Sequence, residues 1–395
     1  MAATNQAPAK NAPPPPPPQV FRVGTYATEY NDQDATVTMT TGQVNYPNFT
    51  IGSNGWLRGL YFLFECVTSS NAATTVFKAD APFSAIAKIA FLDVGGREIF
   101  GPLGGFDWAT LMAFGGYHNI GDPRSDLAYS VTAGSGGTGG SFTMVMYLPL
   151  EIVGRDALGD IENKSTSSSF RVVVVLDAST NIYTTAPTTL GTVRLRIVED
   201  GYTEPEAADA QGRPLSQAPP AVGTVQYWTS EPASLNAGAA KYNVQNGISY
   251  SIRNLIFKLS DNTGSRAQGD ADWPDPVTLS YGKIQLFQRY QKIWNSRQGK
   301  AFGLTNTTAD SGIGALVATS PATLSRFNGV YPVWFTGDFD LAPGAELRNG
   351  YLVTKSGTAL TWAGTINGSG THTLNVLSNY IVSPGNDPAR LRASR

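Results

Sequence analysis

The chain has 395 residues, 28 lysines and arginines against 30 aspartates and glutamates, two histidines and a single cysteine. So balanced a charge provides no global field to attract nucleic acid or an anionic membrane, and one cysteine, Cys66, forbids any intrachain disulfide. The length exceeds the roughly 100–200 residues usual for one domain, so two units of about 180 residues are expected, each large enough to bury its own core.

Residues 1–20 read as a Pro-rich N-terminal arm. Six consecutive prolines, Pro13 to Pro18, fix φ and remove amide donors, which makes the arm an extended polyproline II rod outside any core. It has no apolar h-region of a secretory signal. Elsewhere no apolar run approaches the roughly twenty residues that span a bilayer, and "VVVVL" at 172–176 ends after five. The expectation is a chain made in the cytosol that does not cross a membrane.

From Phe21 onward the apolar segments are short, rich in Val, Ile, Thr, Tyr and Phe, and bounded by Gly, Pro, Asn or Asp, which is the pattern of strands. Strands are expected at 35–40, 46–51, 57–67, 83–93, 142–150, 169–177 and 191–199. Cys66, inside one of them, reads as a small buried hydrophobe. One helix is expected, at 106–114 "FDWATLMAF", where Phe106, Leu111 and Phe114 share a face. "AGSGGTGG" at 133–140 reads as a flexible loop tip. The stretch 204–223, with four prolines and no apolar period, reads as an exposed linker. Further strands are expected at 224–229, 247–259, 277–294, 329–336, 349–355 and 372–382, followed by a basic C-terminal tail at 386–395.

Two matches bind the halves together. "LRGLYFLF" at 57–64 and "IRNLIFKL" at 252–259 put Arg58 and Arg253 in the same place 195 residues apart. "KIAFL" at 88–92 and "KIQLF" at 283–287 recur at that offset. A duplicated unit is expected, one copy over 21–203 and one over 224–385. Long loops between short strands favour a jelly roll over an up-and-down barrel, and immunoglobulin-like units come nearer 100 residues.

Candidate chemistry is sparse. His118 and His372 stand alone in different halves, so neither a clustered-histidine metal site nor a Ser-His-Asp triad is expected, and no G-x-S-x-G elbow occurs. "GSGGTG" at 134–139 matches G-x-G-x-x-G, but a strand rather than a helix follows it. "GKA" at 299–301 lacks the remainder of a phosphate-binding loop. Asp338 and Asp340 would lie on one strand face about 6.8 Å apart, a glycosidase-like spacing, yet Pro343 and Gly344 mark that strand end as solvated. "DADWPD" at 270–275 offers three acids without the glycine and distal glutamate of an EF-hand. The seven tryptophans, one per segment, read as core or interface anchors. No catalytic residue, cofactor or metal is expected.

Taken together, the paired segments and the late stretch "FNGVYPVWFTGDFDLAPGAELRNGYLVTK" at 327–355 resemble double jelly-roll major capsid proteins of the tectivirus type, from tailless icosahedral phages with an internal membrane. The resemblance covers about 21–385. It implies an all-β protein of two tandem eight-stranded jelly-roll β-barrels with a short helical insertion in the first, and a structural role without turnover. It further implies a homotrimer that imitates a hexagon and tiles an icosahedral virion shell. Implied partners are penton or vertex and minor capsid proteins and, through inward-facing termini, the internal viral membrane, with no specific nucleic acid. Loops such as 133–140 and 300–320 would face outward. Lys10, Pro13 and Pro18 in the arm and Arg390, Arg392 and Arg395 in the tail become candidate assembly residues. Several members of that family begin with an amphipathic helix, which the proline run forbids, so the arm is expected as an extended strap beneath a neighbour. The rival readings are a minor capsid or spike protein of the same fold, and a two-module β-sandwich that binds or cleaves polysaccharide, which would need a secretion route.

Overall fold

The computed structural model describes residues 21, 24–69, 71–115, 117, 126–154, 157–244, 250–302, 329–335, 351–355 and 357–382. The first unit contains β1 (Ala27–Thr38), β2 (Val44–Asn45), β3 (Phe49–Thr50), β4 (Gly55–Val67), β5 (Asn71–Phe77), β6 (Ile86–Leu92), β7 (Glu98–Leu103), α1 (Gly105–Phe114), β8 (Ser130–Val131), β9 (Gly134–Gly136), β10 (Phe142–Pro149), β11 (Ile161–Asn163), β12 (Arg171–Leu176), α2 (Ser179–Ile182), β13 (Tyr183–Thr185) and β14 (Thr192–Tyr202). One antiparallel sheet runs β1-β14-β4-β10-β8, with β11 added to β4. The opposing sheet runs β7-β6-β12, with β2 and β3 end to end along β12.

The two sheets close because their strands alternate. Phe62, Phe64 and Cys66 of β4 and Val193, Leu195 and Ile197 of β14 turn inward to meet Ile89 and Phe91 of β6 and Val172 and Val174 of β12 in one core. Helix α1 begins where only glycine fits, since a Cβ on Gly105 would lie 1.9 Å from the Phe83 carbonyl oxygen. All ten of its residues are buried, Asp107 among them.

The second unit contains β15 (Val225–Val244), β16 (Ser251–Ser260), α3 (Arg266–Ala271), β17 (Val277–Tyr281), β18 (Ile284–Arg289), α4 (Gln291–Phe302), β19 (Val330–Trp334), β20 (Leu352–Val353) and β21 (Leu360–Val382). Strands β15 and β21 pair along nearly their whole length, with a register break at Gly238. Gly238, Gly368 and Gly370 hold φ at +100°, +85° and +82°, the region glycine enters without cost. Either side of that break the pair serves a different sheet. One half continues into β16 and β19, the other into β17 and β18.

The order β15-β21-β16-β19 therefore repeats β1-β14-β4-β10, and the far halves of β15 and β21 with β17 and β18 repeat β2/β3-β12-β6-β7. Each unit is an eight-stranded jelly roll with a helix directly after the hairpin of its fourth and fifth strands: β6-β7-α1 in the first, β17-β18-α4 in the second. What the first unit builds as separate strands, the second runs through as one.

Four expectations are corrected. The span 277–294 is no single strand but a hairpin and the start of α4, whose first amide is capped by Asp275 Oδ1 at 3.0 Å, sixteen residues earlier in the chain. Residues 133–140 are no free tip, since β9 pairs with β5 and the Gly139 and Gly140 carbonyls accept from the hydroxyls of Thr68 (2.9 Å) and Tyr183 (2.6 Å). Strand β7 and the inner halves of β15 and β21 went unexpected, although Tyr242 and Val244 of β15 and Leu360 and Trp362 of β21 alternate onto the second core. Finally, "KIAFL" lies in β6 while "KIQLF" runs into β18, the counterpart of β7, so only the β4 and β16 pair marks equivalent strands.

Candidate functional site

Buried polar side chains gather where the first unit meets the second. Among the described residues the strand pairing across it is a single parallel bridge from Phe100 of β7 to Trp228 of β15. Around it the outward face of the second unit's sheet is sealed: Trp228, Ile256, Val330 and Leu377 belong to the first unit's core. Helix α1 lies against that face. Its Asp107 pairs with Lys258 of β16 and accepts from Asn375 Nδ2 of β21 at 2.8 Å. Arg266 of α3 reaches back to Asp80, Nε to Oδ1 at 3.0 Å, with its guanidinium 4.0 Å from the Phe106 ring centroid.

A hydrogen-bonded chain crosses the same seam. Arg253 Nη1 donates to the Tyr117 hydroxyl at 2.7 Å, which donates to Gln226 Oε1 at 3.1 Å. Gln226 Nε2 then donates to the Leu150 and Glu151 carbonyls, at 3.1 and 2.9 Å. Buried charges so arranged add little net stability, but losing one partner strands the other in a low-dielectric interior. The seam locks two barrels in one relative position, and its carboxylates Asp107 and Asp80 are held by Lys258, Asn375 and Arg266 of the same chain.

Beside the seam, Arg58 Nε donates to Glu151 Oε2 at 2.6 Å and its Nη1 lies 3.5 Å from Asp200 Oδ1. Burial pushes the Asp200 carboxyl above the ordinary aspartate value, more than the nearby Arg58 guanidinium draws it down. Cys66 is buried and burial pushes its thiol up to about 12, so it stays protonated and inert, as its strand position predicts.

Of the residues singled out in the sequence, Lys10, Pro13, Pro18, His118, Asp338, Asp340, Arg390, Arg392 and Arg395 lie outside the described residues. His372 is fully buried, its Nε2 2.8 Å from Asp272 Oδ2. The other acids of 270–275 diverge. Asp270 accepts from the Gly329 amide (2.9 Å) and the Tyr331 hydroxyl, while Asp275 caps α4. Among the described residues no group of three His, Cys, Asp or Glu is placed to hold a metal. Trp273, Trp294 and Trp362, far apart in sequence, meet in the second core, with Tyr331 stacked 3.8 Å from Trp273. Sequence reasoning missed the seam, although a lone Asp in "FDWATLMAF" and a lone Lys in "LIFKL" were its signal: a charge inside an apolar element needs a partner.

Neither a family model nor a curated protein matches the sequence. Solved structures do. The fold is similar to the atomic structure of Sulfolobus turreted icosahedral virus, at 12% identity over 93% of this chain and 95% of that one, with a TM-score of 0.59. It is similar to the major capsid protein P2 from bacteriophage PM2, at 8% identity over 91% and 98%, TM-score 0.52. It is also similar to the PBCV-1 virus capsid, at 12% identity over 91% and 95%, TM-score 0.50. These likenesses span both units at once, and the chain has the double jelly-roll fold of such capsid proteins.

Proposed function

We propose that this chain is a structural major capsid protein whose trimers, pseudo-hexagonal in outline, tile the icosahedral shell of a virion. The observation that carries the reading is the head-to-tail seam: the β7 edge of one jelly roll meets β15 of the next, a contact between unlike surfaces. A heterologous contact of that kind repeats from chain to chain and closes into a ring if the rotation allows. Three chains of two barrels fill six corners. The similarity to whole capsid chains, rather than to one barrel of them, supports the same reading.

In this proposal residues 21–203 and 224–385 are the two barrels, 204–223 the linker, and 1–20 and 386–395 the arms that reach neighbouring capsomers, vertex or minor capsid proteins, or an internal membrane. The protein works by burying surface, with no substrate. A polysaccharide-binding role is disfavoured because six of the seven tryptophans that would form a sugar platform are buried. Electron microscopy of the purified chain tests the proposal: six-lobed particles with threefold symmetry are expected, and isolated two-lobed particles at every concentration would overturn it. Copy number in purified virions, by quantitative mass spectrometry, separates a major shell protein from a spike or minor component.

A further inference from the structure

Lys258 of β16 and Asn375 of β21 stand directly opposite each other in the register of two adjacent strands. Their side chains therefore leave the sheet side by side, on the face that meets the first unit. Asp107 of α1 comes down on both. One of its carboxylate oxygens holds the Lys258 ammonium, and the other accepts from Asn375 Nδ2 at 2.8 Å. An amine and an amide are thus bridged by a single carboxylate.

The amide is gripped from its other side as well. Ser230 Oγ of β15 donates to Asn375 Oδ1 at 2.8 Å, which polarises the carbonyl and draws electron density away from Cγ. The surroundings are apolar. Asp107 and Asn375 are both buried, and the Lys258 side chain keeps only 17% of its surface. The Phe106 ring centroid lies 5.5 Å from Lys258 Nζ, while Trp228, Ile256 and Leu377 belong to the core that closes over this face. Arg266, the other cation on the Phe106 ring, is held by Asp80 and leaves Asp107 to Lys258.

These four side chains are the parts of an acyl transfer. Lys258 is the nucleophile and Asn375 Cγ the electrophile. Asp107 is a proton carrier touching both nitrogens, and Ser230 is a donor on the oxygen where charge develops. We propose that Lys258 and Asn375 join in an isopeptide bond, formed once per molecule and without turnover, with Asp107 as its catalytic residue.

The step balances within the chain. Asp107 takes a proton from the Lys258 ammonium, and the freed lone pair bonds to Asn375 Cγ as the carbonyl pair moves onto Oδ1 beside Ser230. When that pair returns, the Cγ–Nδ2 bond breaks and Asp107 hands its proton to Nδ2. The surplus proton on the new amide nitrogen leaves with it, so ammonium departs and Asp107 ends as the carboxylate it began as. No oxidant, metal or second substrate enters.

The bond ties β21, the last strand of the second unit, to β16 and closes residues 258–375 into a covalent loop, which restricts the unfolded chain. The proton carrier comes from the first unit, so the bond forms only after the two units have seated. It makes the closed seam permanent. This chemistry is independent of the capsid role.

Peptide mapping of the purified full chain by tandem mass spectrometry tests it. The expected result is a branched peptide joining Lys258 to Asn375, in a chain lighter than its sequence by one ammonia. Succinimide formation at Asn-Gly pairs such as Asn54-Gly55 also releases ammonia, so the branched peptide decides. Separate, unlinked peptides bearing 258 and 375 overturn the proposal, and so does a branch from Lys258 to Asp107 with loss of water. Two variants, followed in time after cell-free synthesis, assign the roles. Asp107→Asn, checked for folding by circular dichroism, is expected to slow bond formation at least about a hundredfold. Ser230→Ala leaves the Asp107–Lys258 pair in place and is expected to slow it about a hundredfold. Bond formation at the unchanged rate in both variants overturns the mechanism.

Discussion

Arg58 and Arg253 occupy the same β-bulge in two copies of one sheet. The strand beside each passes it over: Leu57 and Gly59 pair with Gly201 and Asp200, and Ile252 and Asn254 pair with Tyr380 and Asn379. Their carbonyls even accept from corresponding places, the Glu151 amide at 2.8 Å and the Phe335 amide at 3.0 Å, each just beyond the third strand of its sheet. The side chains then diverge. Arg58 finds Asp200, but its counterpart Asn379 offers Arg253 no charge, and Arg253 turns into the seam toward Tyr117.

Removing the Arg58 guanidinium takes the cation away from two buried carboxylates, Glu151 and Asp200. Arg58→Met is expected to cost about 3 kcal/mol in denaturant unfolding, and adding Glu151→Gln with Asp200→Asn is expected to recover most of it. Equal stability of Arg58→Met and the unchanged chain would show the bulge pair to be dispensable.

The seam pair behaves alike but across the barrels. Asp107→Ala leaves Lys258 buried without its anion and is expected to destabilise by about 3–5 kcal/mol, whereas Asp107→Leu with Lys258→Met replaces the pair by apolar packing and costs far less. Losses of Asp107→Leu and Lys258→Met, each measured alone, that add up in the double variant would refute the coupling.

Trp294 is fully buried, donates from Nε1 to the Pro332 carbonyl at 2.8 Å, and packs on Trp273 and Tyr331. Trp294→Ala opens a cavity beneath α4, with a loss of about 3–5 kcal/mol expected, while Trp294→Phe keeps most of the packing and costs less.

Asp200 gives a pH dependence. Its carboxyl titrates above the ordinary value of 3.8, so folding favours the protonated form. The associated stability is present below the unfolded value and lost as pH rises through the raised folded one. Asp200→Asn escapes that loss. Melting temperature of the variant minus that of the unchanged chain is therefore expected to rise between about pH 3.5 and about pH 7, and a fall over that range would contradict the sign.

The β grammar was legible wherever a strand buries one face: "TVRLRIV" alternates because one side meets the core, and "RVVVVL" declares itself by its run of β-branched residues. Helix α1 was legible too, because its apolar residues recur at helical spacing. Helix α4 was not, because among residues 291–299 only Trp294 and Gln298 are buried and its cap comes from Asp275. The inner halves of β15 and β21 were hidden for another reason: Tyr242 and Val244, and Leu360 and Trp362, do alternate onto the second core, but the alanines, glycines and asparagines around them dilute the apolar period. The seam joins Asp107 to Asn375 across 268 residues, and no local window reports such a contact. Only the unpaired charges inside apolar elements pointed to it.

Native mass is the most direct test of the central claim that this chain is built to complete a ring with copies of itself. Light-scattering chromatography of the purified full chain is expected to give three times 42.0 kDa, about 126 kDa, stable on dilution. A 42.0 kDa monomer at every concentration would contradict the account.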